Sequence, residues 1–199
     1  MISNRLWIVV LALAGVTACS GPPPKSASQT FVILETTLGN ITVEIFEDEA
    51  PITSANFLRY VDEQRFDSAS WYRTVTMANQ PNNDILIEVI QGGLGQYGSK
   101  RLPAIPHEIT EDTGLKHVDG AFSMARSSPG TASSEFFICI GDQPELDFGG
   151  KRNPDGQGFA VFGVVIEGMD VVRSIQNQPH SGQSLTPPIP ILSVFRAVP

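Results

Sequence analysis

AFSMARSSPGTASSEFFICIG, residues 121–141, carries two strand-forming ends joined by small and turn-forming residues. Ala121–Ala125 and Glu135–Ile140 are apolar or aromatic runs bounded by Ser, Pro and Gly, which is how strands separated by a loop read in sequence. The stretch from Ser127 to Ser134 is too small and polar for a core. It leaves room for another chain to lie against backbone donors and acceptors. Phe136-Phe137-Ile138-Cys139-Ile140 is an unbroken apolar run of strand length and implies burial on both faces. Taken alone, these residues are accounted for by an ordinary hairpin in an all-β core.

Outward from this hairpin the same signals recur. Phe31–Thr36 and Ile41–Phe46 flank Leu38-Gly39-Asn40, a hairpin turn, and Ile41, Val43 and Ile45 alternate with Thr42 and Glu44 as in a half-buried strand. Ile85–Gln91 reads as a further strand ending at Gly92-Gly93, with Val89 and Gln91 on one face. Two helices interrupt the strands. Pro51 stands as a first-turn proline before Ile52–Asp62, where Phe57, Leu58 and Val61 form an apolar stripe. Met169–Gln176 repeats the design with Val171, Val172 and Ile175. Two helices among many short strands point to a mainly β fold, a closed barrel with helices over its ends.

The chain has 199 residues, enough for one domain with a sizeable core plus a targeting segment, and 18 Gly with 15 Pro suit a loop-rich β protein. A formal net charge of −8, with basic residues scattered, argues against a nucleic-acid surface. His107, His117 and His180 lack metal-ligand spacing, and His107-Glu108 is not the two-histidine helix motif of zinc proteases. There is no Gly-x-Ser-x-Gly elbow either. No metal or cofactor is expected. Cys139 lies in an apolar strand and reads as core packing. In Trp71-Tyr72-Arg73-Thr74-Val75 an Arg stands among aromatic and β-branched neighbours. Buried, it would need partners for its fork of donors; a snorkelling surface Arg fits the same residues.

Several of these blocks, in order, resemble the cyclophilin-type peptidyl-prolyl cis/trans isomerases of the bacterial branch. SMAR…PGTASSEFFIC is similar to the central signature of that family, and Tyr72-Arg73, Gln91-Gly92-Gly93, Ile105-Pro106-His107-Glu108 and Phe159-Ala160-Val161-Phe162-Gly163 match further blocks over about Thr30 to Val198. The resemblance implies an eight-stranded antiparallel barrel capped by two helices. It also implies a site in which Arg73 donates a hydrogen bond to the prolyl nitrogen of a twisted amide and Gln91 orients that Arg. Val89, Ala125, Phe137, Leu146 and Phe159 would then form the proline pocket, and the backbone around Arg126 would hold the peptide. The expected substrates are proline-containing segments of exported proteins, and the domain is expected to act as a monomer. Departures stand at Tyr72, where the family has His, at Glu145, where it has Trp or another aromatic, and at Phe159, where it has His. A further pocket aromatic is expected near Glu88, with Ile87 the other occupant of that space; Thr76–Asp84 is longer than in compact members. The departures at Glu88, Glu145 and Phe159 keep a second class open, a proline-peptide binding module without turnover.

The N-terminal residues are of another kind. Arg5 precedes the apolar run Leu6–Val16, too short to span a bilayer as a mature helix, and Val16-Thr17-Ala18-Cys19 resembles a bacterial lipobox. The expected organisation is a signal peptide over 1–19 acylated at Cys19, a Pro/Ser-rich tether over 20–29, and an isomerase domain over 30–199. Ser20 after the Cys resembles the sorting signal for the periplasmic face of the outer membrane.

Overall fold

Alternation along the strands, interrupted by bulges, decides which side of the barrel wall a residue faces. The computed structural model describes residues 29–95 and 98–197; the signal peptide, Cys19 and tether residues 20–28 lie outside the described residues. The elements are β1 (Thr30–Thr36), β2 (Gly39–Ile45), α1 (Pro51–Asp62), β3 (Ser70–Val75), β4 (Val89–Gly93), α2 (Thr110–Thr113), β5 (Ala121–Met124), β6 (Phe136–Cys139), β7 (Ala160–Glu167), α3 (Met169–Gln176), β8 (His180–Ser181) and β9 (Ser184–Arg196). All strand pairs are antiparallel, in the order β1-β2-β7-β5-β6-β4-β3-β9-β8, and β1 also pairs with β9. Eight strands therefore close on themselves, and two-residue β8 is appended to β9. Closure removes the exposed edges that an open sheet would present.

The barrel interior is filled by rings. Phe57 of α1 meets Phe122 and Phe136 edge-on at 5.1 and 5.7 Å, and Phe66, Trp71 and Phe162 complete the cluster. Val172 and Ile175 of α3 join the same core from the end of the barrel where β5 begins, while α1 lies where β5 ends. Two capping helices were expected; α2, a single turn in the connection before β5, is a third. The N-terminus of α1 has no side-chain cap of its own. Glu108 supplies one from 55 residues away, accepting from the Ile52 and Thr53 amides at 3.0 and 2.7 Å. That gives the His107-Glu108 pair a structural role.

A second apolar cluster lies outside the wall: Val75, Val89, Phe137, Cys139, Leu146 and Val161. Phe136 and Ile138 face inward and Phe137 and Cys139 outward, so the run buried on both faces is a barrel strand whose outer face is roofed by loops. One boundary differs from expectation: the strand foreseen over Ile85–Gln91 begins only at Val89. Ile87 is instead paired by the Gln80 side chain, whose Nε2 donates to the Ile87 carbonyl at 2.8 Å and whose Oε1 accepts the Ile87 amide at 3.3 Å. A buried amide group takes the place of a neighbouring strand.

Candidate active site

The outer cluster forms the floor of the site. Cross-strand register places Arg73 opposite Gln91, Gln91 opposite Phe137, and Phe137 opposite Ser123, so one row of outward-facing residues crosses four strands. Arg73 reaches this row through a bulge. Strand alternation alone would put Trp71 and Arg73 on the same side. The register shifts between them in both pairings of β3, which sends Trp71 into the core and Arg73 outward. Gly92 is required opposite this bulge, since a Cβ there would stand 2.8 Å from the Trp71 ring.

A cavity of about 130 Å³ opens over this row, lined by Arg73, Ile87, Val89, Gln91, Ala125, Arg126, Phe137, Leu146 and Phe159. All eight pocket residues expected from the sequence are thus brought together, with Ile87 as the ninth. Ile87 turns its side chain to the cavity. Glu88 is turned away and accepts from Gln176 Nε2 of α3 at 3.2 Å. Phe137 is nearly fully buried, and Phe159 stands edge-on to it at 5.3 Å. Leu146 ends a short turn from Pro144, and its carbonyl accepts the Phe159 amide at 2.9 Å.

Polar groups hold the remainder. Arg73 is half-buried and has no carboxylate within ion-pair distance among the described residues. Its Nη1 donates to Gln91 Oε1 at 2.7 Å, while Nε and Nη2 both donate to Gln183 Oε1, at 3.0 and 2.7 Å. Burial lowers its pKa from the ordinary arginine value. Gln91 Nε2 donates to the Tyr72 hydroxyl at 2.8 Å, and that hydroxyl donates to Glu135 Oε2 at 2.7 Å. Burial first, and then the Glu135 charge, push the phenol pKa well up, so Tyr72 stays a neutral donor. Arg126 lines the cavity with its guanidinium already engaged: the group is almost fully buried, grips both Asp155 oxygens at 2.7 and 2.9 Å, and lies 5.2 Å from the Phe159 ring centroid. This pair, which draws the Asp155 pKa down to about 2, fastens the loop from Phe148 to Gly158 beside the site.

Behind Phe137 lies a chain of three polar groups that no local motif announced. His117 Nδ1 is 2.8 Å from Asp147 Oδ1, and its Nε2 is 3.0 Å from Ser123 Oγ. The order Asp-His-Ser invites comparison with a nucleophilic triad, but Ser123 is completely buried and its hydroxyl also lies 2.9 Å from the Ala160 carbonyl. It has no access to a substrate. The His117 ring is stacked parallel to Phe137 at 5.9 Å and supports the pocket floor.

Residues 31–195 match the family model described as cyclophilin type peptidyl-prolyl cis-trans isomerase/CLD. The chain belongs to the cyclophilin family. Among curated relatives, this cyclophilin is 35% identical over 165 residues to a peptidyl-prolyl cis-trans isomerase of Acinetobacter baylyi, covering 82% of this chain and 80% of that one. It is 31% identical over 175 residues to isomerase A of Dickeya dadantii, covering 87% and 84%. To isomerase B of Escherichia coli it is 34% identical over 147 residues, covering 73% and 83%. The crystal structure of a Cryptosporidium parvum cyclophilin type isomerase superposes with a TM-score of 0.68 at 22% identity, covering 86% of this chain and 99% of that one, and so shares its fold. This cyclophilin is accordingly a peptidyl-prolyl cis-trans isomerase of proline-containing peptides. No local pattern in the sequence marks Gln183, Asp155, the Tyr72–Glu135 pair or the Asp147–His117–Ser123 chain.

Proposed function

We propose that this cyclophilin accelerates X–Pro rotation by stabilising the twisted amide, with Arg73 as the hydrogen-bond donor to the prolyl nitrogen. The barrier is roughly 18–20 kcal/mol because resonance holds the C–N bond partly double. Twisting pyramidalises the nitrogen and frees its lone pair, so a donor aimed there binds the transition state better than either planar form. The observation that carries this reading is the partner set of Arg73: a half-buried guanidinium at a largely apolar cavity, held by two neutral amide oxygens and, among the described residues, by no carboxylate. Its charge is left for the substrate. Phe137, Leu146, Val89 and Ile87 offer the proline ring an apolar seat. One charged hydrogen bond contributes about 1.5–3 kcal/mol, so desolvation and positioning in the cavity supply the greater part of an acceleration of about five decades, roughly 7 kcal/mol.

The test is isomerisation of a short X–Pro peptide by wild type, Arg73→Ala and Arg73→Lys. Both variants are expected to fold and to lose about tenfold to a hundredfold in kcat/KM, Lys faring little better because an ammonium lacks the planar fork. Wild-type turnover in a folded Arg73→Ala would overturn the assignment.

The apolar leader and the Val16–Cys19 lipobox support a further reading, that the enzyme acts on exported proteins from a lipid anchor at Cys19 on the periplasmic face of the outer membrane. Cys19→Ser is then expected to move the protein out of the membrane fraction; unchanged partition would refute the anchor.

A further inference from the structure

We propose that Gln183 is a positioning residue for Arg73, and that the 76–84 insertion exists to buttress it. The inference rests on Arg73 being the donor to the prolyl nitrogen. A guanidinium carries five N–H groups. Gln183 Oε1 takes one from Nε and one from Nη2, and Gln91 Oε1 takes one from Nη1, which leaves one free N–H on each terminal nitrogen. The two amides therefore fix the plane of the fork while leaving two donors for a substrate. Gln91 alone, holding one terminal nitrogen, would let the fork swing about that contact. Gln183 grips the Nε edge and removes that freedom.

Gln183 is itself held on both sides. Its backbone carbonyl accepts the Thr74 amide at 2.9 Å, and its Nε2 donates to the Asn79 carbonyl at 3.2 Å. Asn79 Nδ2 donates to the Thr74 and Gly182 carbonyls at 3.1 and 3.2 Å, and Asn79 Oδ1 accepts the Thr76 amide at 2.9 Å. One asparagine in the insertion thus ties the end of β3 to the turn that presents Gln183. The chemistry of the clamp matters as much as its place. A carboxylate at residue 183 would hold the fork equally well in geometry, but its charge would satisfy the guanidinium and weaken its pull on a developing lone pair. An amide positions without neutralising.

The experiment uses the full chain bearing Gln183→Ala, Gln183→Glu or Asn79→Ala, each alone and combined with Arg73→Ala. Separate kcat and KM values are measured on one X–Pro peptide, with unfolding midpoints as the check on folding. Gln183→Ala is expected to lower kcat about tenfold with KM within about twofold, since the lost contact acts on the donor rather than on the proline seat. Gln183→Glu keeps the acceptor for Arg73 but loses the donor to the Asn79 carbonyl, and is expected to lower kcat by a similar factor; the readout that separates positioning from a merely structural role is the kcat-against-KM split and its dependence on Arg73. Asn79→Ala should lower kcat by about threefold. In the Arg73→Ala background all three effects should vanish. Wild-type kcat in Gln183→Ala beside an inactive Arg73→Ala overturns the clamp alone. So does a loss in kcat that persists undiminished without Arg73. Full turnover in Arg73→Ala instead overturns the donor assignment, and the clamp with it.

Discussion

Acidification from pH 7 to pH 5 is expected to destabilise this domain, and the most deeply buried group responsible is His117. The residue is 2% exposed, with Phe137 parallel to the ring on one side, Asp147 at Nδ1 and Ser123 at Nε2. The charged groups near it are Asp147 and Lys116, whose Nζ stands 3.7 Å from the second Asp147 oxygen; the buried Cys139 thiol is pushed up in pKa and stays neutral. Burial holds the His117 pKa below its ordinary 6.5 even though Asp147 pulls the other way. The unfolded chain therefore binds more protons than the folded one between the folded pKa and 6.5, and stability is complete above that window and falls as pH drops through it. The slope is at most about 1.36 kcal/mol per pH unit for one proton, so the loss between pH 6.5 and pH 5 is at most about 2 kcal/mol. Against a total of about 5–15 kcal/mol that is readily measured. Asp62, Asp147 and Asp155 have lowered pKa values and give up their contributions only below about pH 4, outside the window. His107, whose pKa burial also lowers, shares the window and supplies the control as His107→Asn. Urea midpoints at intervals between pH 8 and pH 5 should fall for wild type and for His107→Asn. They should fall less steeply for His117→Gln, which starts from a lower stability and keeps the contribution of His107. An unchanged slope in His117→Gln, or a wild type that gains stability on acidification, would refute the argument.

The remaining predictions concern the loop beside the pocket. By the resemblance read from the sequence, Glu145 is expected at the position whose aromatic contributes to cyclosporin binding in this family; its carboxylate accepts the Lys151 amide at 2.8 Å. Desolvating it against an apolar macrocycle is costly. Wild type should therefore be inhibited weakly, and Glu145→Trp should lower the inhibitory concentration at least about tenfold, roughly 1.4 kcal/mol, with turnover changed less. Tight inhibition of wild type in a peptide assay would contradict this. Gly158 has φ +61°, and a Cβ there would stand 2.5 Å from both the Leu146 carbonyl oxygen and the Asp147 carbonyl carbon. Gly158→Ala should cost about 1–3 kcal/mol in urea unfolding and raise KM by displacing Leu146; a variant of wild-type stability and KM would show that the loop yields freely.

Much of the architecture is a matter of local pattern. The period-two alternation of Ile41, Val43 and Ile45, the apolar run Phe136–Ile140 and the stripes of α1 and α3 are each legible within a dozen residues, because strand and helix geometry repeat over short distances. Val89 and Gln91 share a face for the same reason. Register between distant segments is a different kind of information. Arg73 and Gln183 are 110 residues apart, and neither the bulge that turns Arg73 outward nor the amide that receives it leaves a mark in the residues nearby. The same holds for Arg126 on Asp155, Tyr72 on Glu135, and His117 between Asp147 and Ser123. Gln80 shows why even a strand boundary escaped local reading: Ile85–Gln91 has the composition of a strand throughout, but Ile87 finds a side-chain amide as its partner, so the ladder starts at Val89. Alternation decides which face a side chain takes. Only closure of the barrel decides which polar group waits there, because a buried donor is satisfied by whatever distant segment the topology brings within about 3 Å.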